Sequence, residues 1–202
     1  MGATPAAQWL VVGLGNPGPA YARTRHNVGY EVVDRLAVEA GAHFGADRFQ
    51  AQAALADLSG IPILLLKPQT FMNLSGPSVA AWLGLLSLPE TRLAVVHDDL
   101  DLVLGRVRVT GGAGPGGHRG VASVQEALGT QDFPRVRLGI GRPREGEDAA
   151  DRVLEGFAAE ELPVAADMLA RAATAVQTLI RHGLALAMDR YNVRAHASGA
   201  SA

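Results

Sequence analysis

The residues of this 202-residue chain best suited to chemistry sit in four short stretches, each beside an apolar run. In GLGNPGPAYARTRHNVG, Gly13 to Gly29, glycines spaced G-x-G-x-x-G lead to Asn16 and then to His26, framed by Arg25 and Asn27. KPQTFMNLSG, Lys67 to Gly76, places Asn73 just ahead of a helical pattern. HDDLD, His97 to Asp101, sets three carboxylates directly after the apolar LAVV, and GPGGHRG, Gly114 to Gly120, carries His118 and Arg119. Each stretch admits a chemical and a purely structural use. A glycine loop can cradle phosphate or simply turn the chain. An imidazole titrates near ~6.5 in water, so near neutrality it is largely a free base, but a histidine before a helix can also just cap it. Three carboxylates could hold Mg²⁺, although a catalytic histidine nearby would make a poor neighbour for the ion. Asn73 could be an ordinary helix-entry residue.

The first glycine loop imitates a dinucleotide-binding fingerprint. That fingerprint requires a strand before the glycines, a helix beginning within them, and an acid at the end of a second strand about 20 residues on. Only the strand is expected here. Pro17 and Pro19 flank Gly18 where the helix would run, and Pro19 lies deep enough to break it. Glu31 and Asp34 fall inside the next helical pattern instead of after a strand. The loop therefore reads as a rigid Gly/Pro turn delivering Asn16, followed by a polar segment that sets His26 just before a helix. No nicotinamide or other cofactor is expected.

These residues need a scaffold, and the pattern of the chain supplies one. QWLVVGLG and ILLLK read as buried strands, FQAQAALADL and RVRVT as strands with one wet face, and LAVVHD and RVRLGIG as further strands. Val28, Val32, Leu36 and Ala40 recur at helical spacing and Gly41 closes that helix. Ser75 opens a second helix with Pro77 in its first turn, running to about Leu88. Val121 to Leu128 makes a short helix, Pro143 to Asp151 is polar and expected to be mobile, and Pro163 to about Asn192 is helical with a break near Gly183. The fold expected is α/β, a single domain over residues 1–192 with a central mixed, mostly parallel sheet flanked by helices. Residues 193–202 should form a disordered tail.

Composition agrees with such a domain. At 48% hydrophobic and 19% charged residues the chain can bury a full core without staples. With no cysteine, thiol nucleophiles, cysteine-zinc sites and disulfides are excluded. No apolar run approaches the ~18 residues of a membrane span, no basic segment precedes the first apolar run, and Ala6 fails the myristoylation pattern. The expected setting is the cytoplasm. Net charge is only −2, yet seven arginines (106, 108, 119, 135, 137, 142, 144) face just Glu126 and Asp132 between Val103 and Arg144. The next stretch, Glu145 to Asp167, holds eight acids and only Arg152. A near-neutral protein can still offer one basic face to phosphates, although a scattered, solvated surface would give the same count.

Taken together, the four stretches, in this order and spacing, resemble the bacterial peptidyl-tRNA hydrolase family from about Leu10 to Met188. The resemblance implies a monomeric enzyme without cofactor or metal. Its substrate would be peptidyl-tRNA, bound through the acceptor stem and 3′ end, and it would cleave the ester between the peptide and the 3′-terminal ribose. It makes His26 the general base toward water and Asp98 the carboxylate that holds the imidazole in its basic tautomer, as a triad aspartate does. The absence of a G-x-S-x-G elbow agrees with water as nucleophile. Asn73 becomes the residue that binds substrate and steadies water or the oxyanion. Asn16 becomes the one that distinguishes N-blocked from free aminoacyl-tRNA. Tyr21, Phe71 and His118 match tRNA-contacting positions, and Arg108, Arg135 and Arg137 become phosphate contacts. The chain departs from the family in two places. Arg119 stands where an asparagine is usual, so it can donate to phosphate or stack on a base but cannot accept a hydrogen bond. Thr110 stands at a commonly basic position, with Arg108 two residues before it. The rival reading is a non-catalytic RNA-binding module on the same scaffold.

Overall fold

The chain enters a sheet at once, with strand β1, Trp9–Gly13, buried along its whole length. Its side chains alternate between two cores, Trp9 and Val11 to one face, Leu10 and Val12 to the other, as a strand covered on both faces must. The computed structural model describes residues 6–45, 48–143 and 145–193. After β1 come α1 (Val28–Glu39), β2 (Ala51–Asp57), β3 (Pro62–Pro68), α2 (Ser75–Leu86), β4 (Leu93–Asp99), β5 (Val107–Thr110), α3 (Arg119–Leu128), β6 (Arg135–Gly139), α4 (Ala149–Leu154), α5 (Leu162–His182) and α6 (Leu184–Asn192).

The strands form one six-stranded sheet in the order β2-β3-β1-β4-β6-β5. The four inner strands run parallel, and both edge strands are antiparallel to their neighbours. This is the mixed, mostly parallel sheet the sequence implies. Residues such as Val32, Leu36, Val176 and Leu179 of α1 and α5 cover one face. Val79, Trp82, Val121 and Val124 of α2 and α3 cover the other.

The loops that follow β1, β3 and β4 all leave at the carboxyl edge of the sheet, the usual place for a ligand crevice in an open α/β sheet. The first glycine motif has a packing duty there. A Cβ on Gly13 would lie 2.2 Å from the carbonyl oxygen of Gly29, and one on Gly29 would lie 2.5 Å from those of Leu14 and Val96. The absence of both side chains lets the first turn of α1 rest on the ends of β1 and β4.

Two elements differ from expectation. Helix α3 begins at Arg119, ahead of Val121, because the imidazole of His118 acts as its cap and accepts from the backbone N–H of Gly120 and Val121. Histidine is not among the usual capping residues, so the start was hidden. The polar segment after Pro143 carries helix α4, capped by Asp148; composition pointed to a loop. The expected tail lies outside the described residues from 194 onward.

Candidate active site

His26 sits in a 3-10 turn, Arg25–Asn27, that runs directly into α1. Its Nδ1 is 2.9 Å from Oδ1 of Asp98, near the end of the fully buried strand β4. The same carboxylate oxygen is 2.9 Å from Nε2 of His118. The tautomers follow from donors and acceptors. His118 Nδ1 accepts from two backbone N–H groups, so its proton is on Nε2 and is donated to Asp98. Asp98, ionised, offers only acceptors, so His26 donates from Nδ1 and its Nε2 lone pair is left free. The carboxyl of Asp98 is held well below the usual carboxylate range: burial alone would raise it, and the charge and hydrogen bonds of His118 and His26 outweigh burial.

Asn16 is fixed by its own backbone. Asn27 Oδ1 accepts from Asn16 N at 2.8 Å, and Asn27 Nδ2 donates to Asn16 O at 2.9 Å. The side-chain oxygen of Asn16 accepts from the backbone N–H of Met72 at 2.7 Å, joining the first loop to the second. This leaves Nδ2 of Asn16, with no partner among the described residues, as the group a ligand would meet. Asn73 lies one residue past Met72 in the 3-10 turn Met72–Leu74, exposed, its amide likewise without a described partner.

A cleft of about 470 Å³ joins these groups. Asn16, Tyr21, His26, Phe71, Asn73, Asp98, His118 and Arg119 all line it, so eight of the eleven residues singled out from sequence come together. Phe71 is 59% exposed at its rim and Arg119 stands exposed in the first turn of α3. Helix α4 closes another side with Ala149, Ala150, Val153 and Leu154. Arg108 and Arg137 do not line the cleft. They pair directly across β5 and β6, which sets them on one face of the sheet edge. Arg108 is exposed, and Arg137 binds Asp99, the residue after Asp98.

Arg135 requires a correction. It is 1% exposed, and its guanidinium donates to the carbonyls of Ala113 and Gly114. It holds the glycine loop from beneath and is not available to a phosphate. A charged residue in an alternating strand looks solvent-facing in sequence, and only the fold shows the loop lying over it.

The carboxylates of HDDLD do not converge on an ion. Asp98 serves the two histidines, Asp99 binds Arg137, and Asp101 binds Arg142. His26, Asp98 and His118 do present ligand-type atoms within 4.8 Å of one another. Both ring nitrogens facing the carboxylate carry protons in the hydrogen-bonded arrangement, which a metal would have to displace.

Two residues of this site were missed in sequence. Asn27 clamps Asn16, as above. Arg25, 1% exposed, donates to the carbonyl of Ile140 at 3.3 Å, pairs with Glu161 and lies 4.5 Å over the ring of Phe157. Its backbone N–H also donates to Glu155 O at 2.9 Å, so the turn carrying His26 is strapped to the segment between α4 and α5. Burial of a charge beside a catalytic candidate has no signature in composition.

A family model described as peptidyl-tRNA hydrolase matches residues 10–199. The chain belongs to the peptidyl-tRNA hydrolase family. It is 46% identical over 185 residues to a peptidyl-tRNA hydrolase of Chloroflexus aurantiacus, covering 91% of this chain and 98% of that protein. With a Mycobacteroides abscessus peptidyl-tRNA hydrolase it shares 48% identity over 182 residues, 90% of this chain and 93% of that one. Among solved structures, peptidyl-tRNA hydrolase from Acinetobacter baumannii superposes with a TM-score of 0.87 at 32% identity, covering 95% of this chain and 98% of that one. A Vibrio fischeri uridine phosphorylase, at 12% identity and a TM-score of 0.51, shares the fold alone. Membership makes the chain an ester hydrolase that releases peptide from tRNA, and no helix among its described residues is long and apolar enough to cross a membrane.

Proposed function

We propose that His26 is the general base of this hydrolase and that Asp98, held jointly by His26 and His118, keeps it in the reactive tautomer. The observation that carries this is the pair of 2.9 Å contacts to one buried carboxylate oxygen at a cleft shared with Asn16 and Asn73. His26 Nε2 takes a proton from water while the oxygen of that water bonds to the ester carbonyl carbon. The amide of Asn73 donates to the developing oxyanion, a contribution typically worth ~2.7–4 kcal/mol. Collapse breaks the bond to the ribose 3′ oxygen, which takes the proton from the imidazolium, leaving free tRNA and a peptide carboxylate.

Asn16 supplies discrimination. Its free Nδ2 is a donor, which suits the carbonyl of an N-acyl group. An α-ammonium offers only further donors and a charge to be desolvated. Phe71 and Tyr21 offer aromatic faces to the terminal bases, and Arg119 a donor to phosphate. Arg108 and Arg137 act at the sheet edge on phosphates further along the acceptor stem. His118 has both ring nitrogens engaged inside the protein, and its part is positioning Asp98, in place of the tRNA contact that the resemblance implies. His26, Asp98, Asn73 and Asn16 line a single cleft that needs no residue from a second copy, and we take the protein to act as a monomer on cytoplasmic peptidyl-tRNA.

The test is hydrolysis of N-acetyl-aminoacyl-tRNA beside its unblocked counterpart. Rapid release from the blocked form alone is expected; equal rates on both would remove the role given to Asn16.

A further inference from the structure

On the far side of Asn16 lies a second cleft, of about 460 Å³, between the Gly18–Arg23 loop, the first turns of α1 and the ends of β2 and β3. Asn16 lines both clefts. The sheet order puts the parts of the molecule on a line: the Arg108–Arg137 pair on β5 and β6 at one end, the His26–Asp98 site at β1 and β4, and this cleft beside β3 and β2 at the other. A peptidyl-tRNA is itself linear, with nucleic acid on one side of its ester and polypeptide on the other. If arginines at the β5 edge engage phosphates, the peptide leaves toward β2, past the free amide of Asn16.

We infer that the second cleft receives the peptide upstream of the ester-linked residue and that Glu31 gives it a preference for basic over acidic side chains there. The inference rests on the function proposed above. Its walls are polar, as a peptide chain of varied sequence requires, and most of their groups are already committed. Lys67 binds Asp34 and stands 4.1 Å over the ring of Phe44, Tyr30 donates to Pro68 O, and Asn27 is spent on Asn16. Glu31 is the exception on the inner wall. It is only partly exposed and has no hydrogen bond or ion pair among the described residues. Burial, then the charge of Asp34, pushes its carboxyl above the usual range against a smaller opposing effect of Arg23. An incoming ammonium or guanidinium relieves that situation, and an incoming carboxylate aggravates it. Arg23, the other charge of the lining outside the Lys67–Asp34 pair, is exposed and so screened by solvent. Gln52, on the β2 side, faces the same space.

The experiment compares kcat/KM on three tRNAs charged with N-acetyl-alanine, N-acetyl-lysyl-alanine and N-acetyl-glutamyl-alanine. The lysyl substrate should exceed the glutamyl one by about two- to fivefold, the range of partly screened charge pairs. Glu31→Gln should bring the ratio to near one, and Gln52→Lys, on the opposite wall, should lower it independently. Equal rates on the two dipeptidyl substrates in the wild type, or a ratio that survives both substitutions, would overturn the inference while leaving the catalytic reading intact. Failure to hydrolyse even N-acetyl-alanyl-tRNA would remove both.

Discussion

The carboxylate of Asp98 is shared by two imidazoles, and each relation predicts a different loss. Asp98→Asn keeps the shape but can donate to His26 Nδ1, inverting the tautomer; turnover should fall by about 10⁴-fold, as in triads that lose their aspartate, with tRNA affinity little changed. Asn73→Ala should lower kcat by about 10²–10³-fold, the usual consequence of removing one oxyanion donor. His97 bears on stability instead. It is buried against the ring of His118 at 4.7 Å, and its imidazole is held well below its ordinary value by burial first and by the charge of His118 second. In the unfolded chain it titrates near ~6.5, so below that pH the unfolded state binds a proton that the folded state refuses. Stability is therefore lost as pH falls through the unfolded value. Thermal unfolding of wild type and His97→Gln should converge as pH drops below about 6.5; a constant gap would contradict this. At this scale the sequence was informative where motifs are dense, at His26, Asp98, Asn16 and Asn73. It was mute on His118, whose motif marks it without telling a ligand contact from a helix cap.

The apolar patterns were sufficient for the six strands and the longer helices. The buried LVV, LLL and AVV runs became β1, β3 and β4, and the helical spacing of Val28 to Ala40 became α1. What escaped was set by long-range contact. Helix α4 has six residues, too few for a periodic signal, and it exists against the turn of His26. Arg25 is the tie: its guanidinium reaches Glu161, 136 residues away in sequence. Arg25→Met should lower stability by about 3 kcal/mol, the low end for breaking a buried pair, since Glu161 keeps 21% side-chain exposure. It should also lower kcat more than it raises KM, because the turn that aims His26 loses its strap. A variant with normal kcat and only a lower melting temperature would reduce Arg25 to a structural residue.

Across the whole molecule the charge is nearly balanced at −2, and its layout carries the meaning. Arginines gather at the β5–β6 edge, while some of the acids that follow are spent internally, Glu161 on Arg25 and Asp148 on the α4 cap. The sequence revealed the excess of positive charge, but only the sheet showed that Arg135 lies inside, Arg108 outside, and Arg137 half-buried against Asp99. Binding of tRNA should weaken with salt through counterion release, and Arg108→Ala should flatten the plot of log affinity against log salt by about one unit of slope. Arg135→Lys should instead loosen the loop carrying His118 and leave that slope unchanged. The central claim is that the His26 imidazole, aimed by Asp98 and assisted by Asn73, performs the chemistry, while the arginines and aromatic side chains around it bind tRNA. Single-turnover hydrolysis of N-acetyl-aminoacyl-tRNA by His26→Ala, with tRNA affinity measured on the same preparation, tests it directly: turnover should vanish and affinity persist. Undiminished hydrolysis would contradict the account.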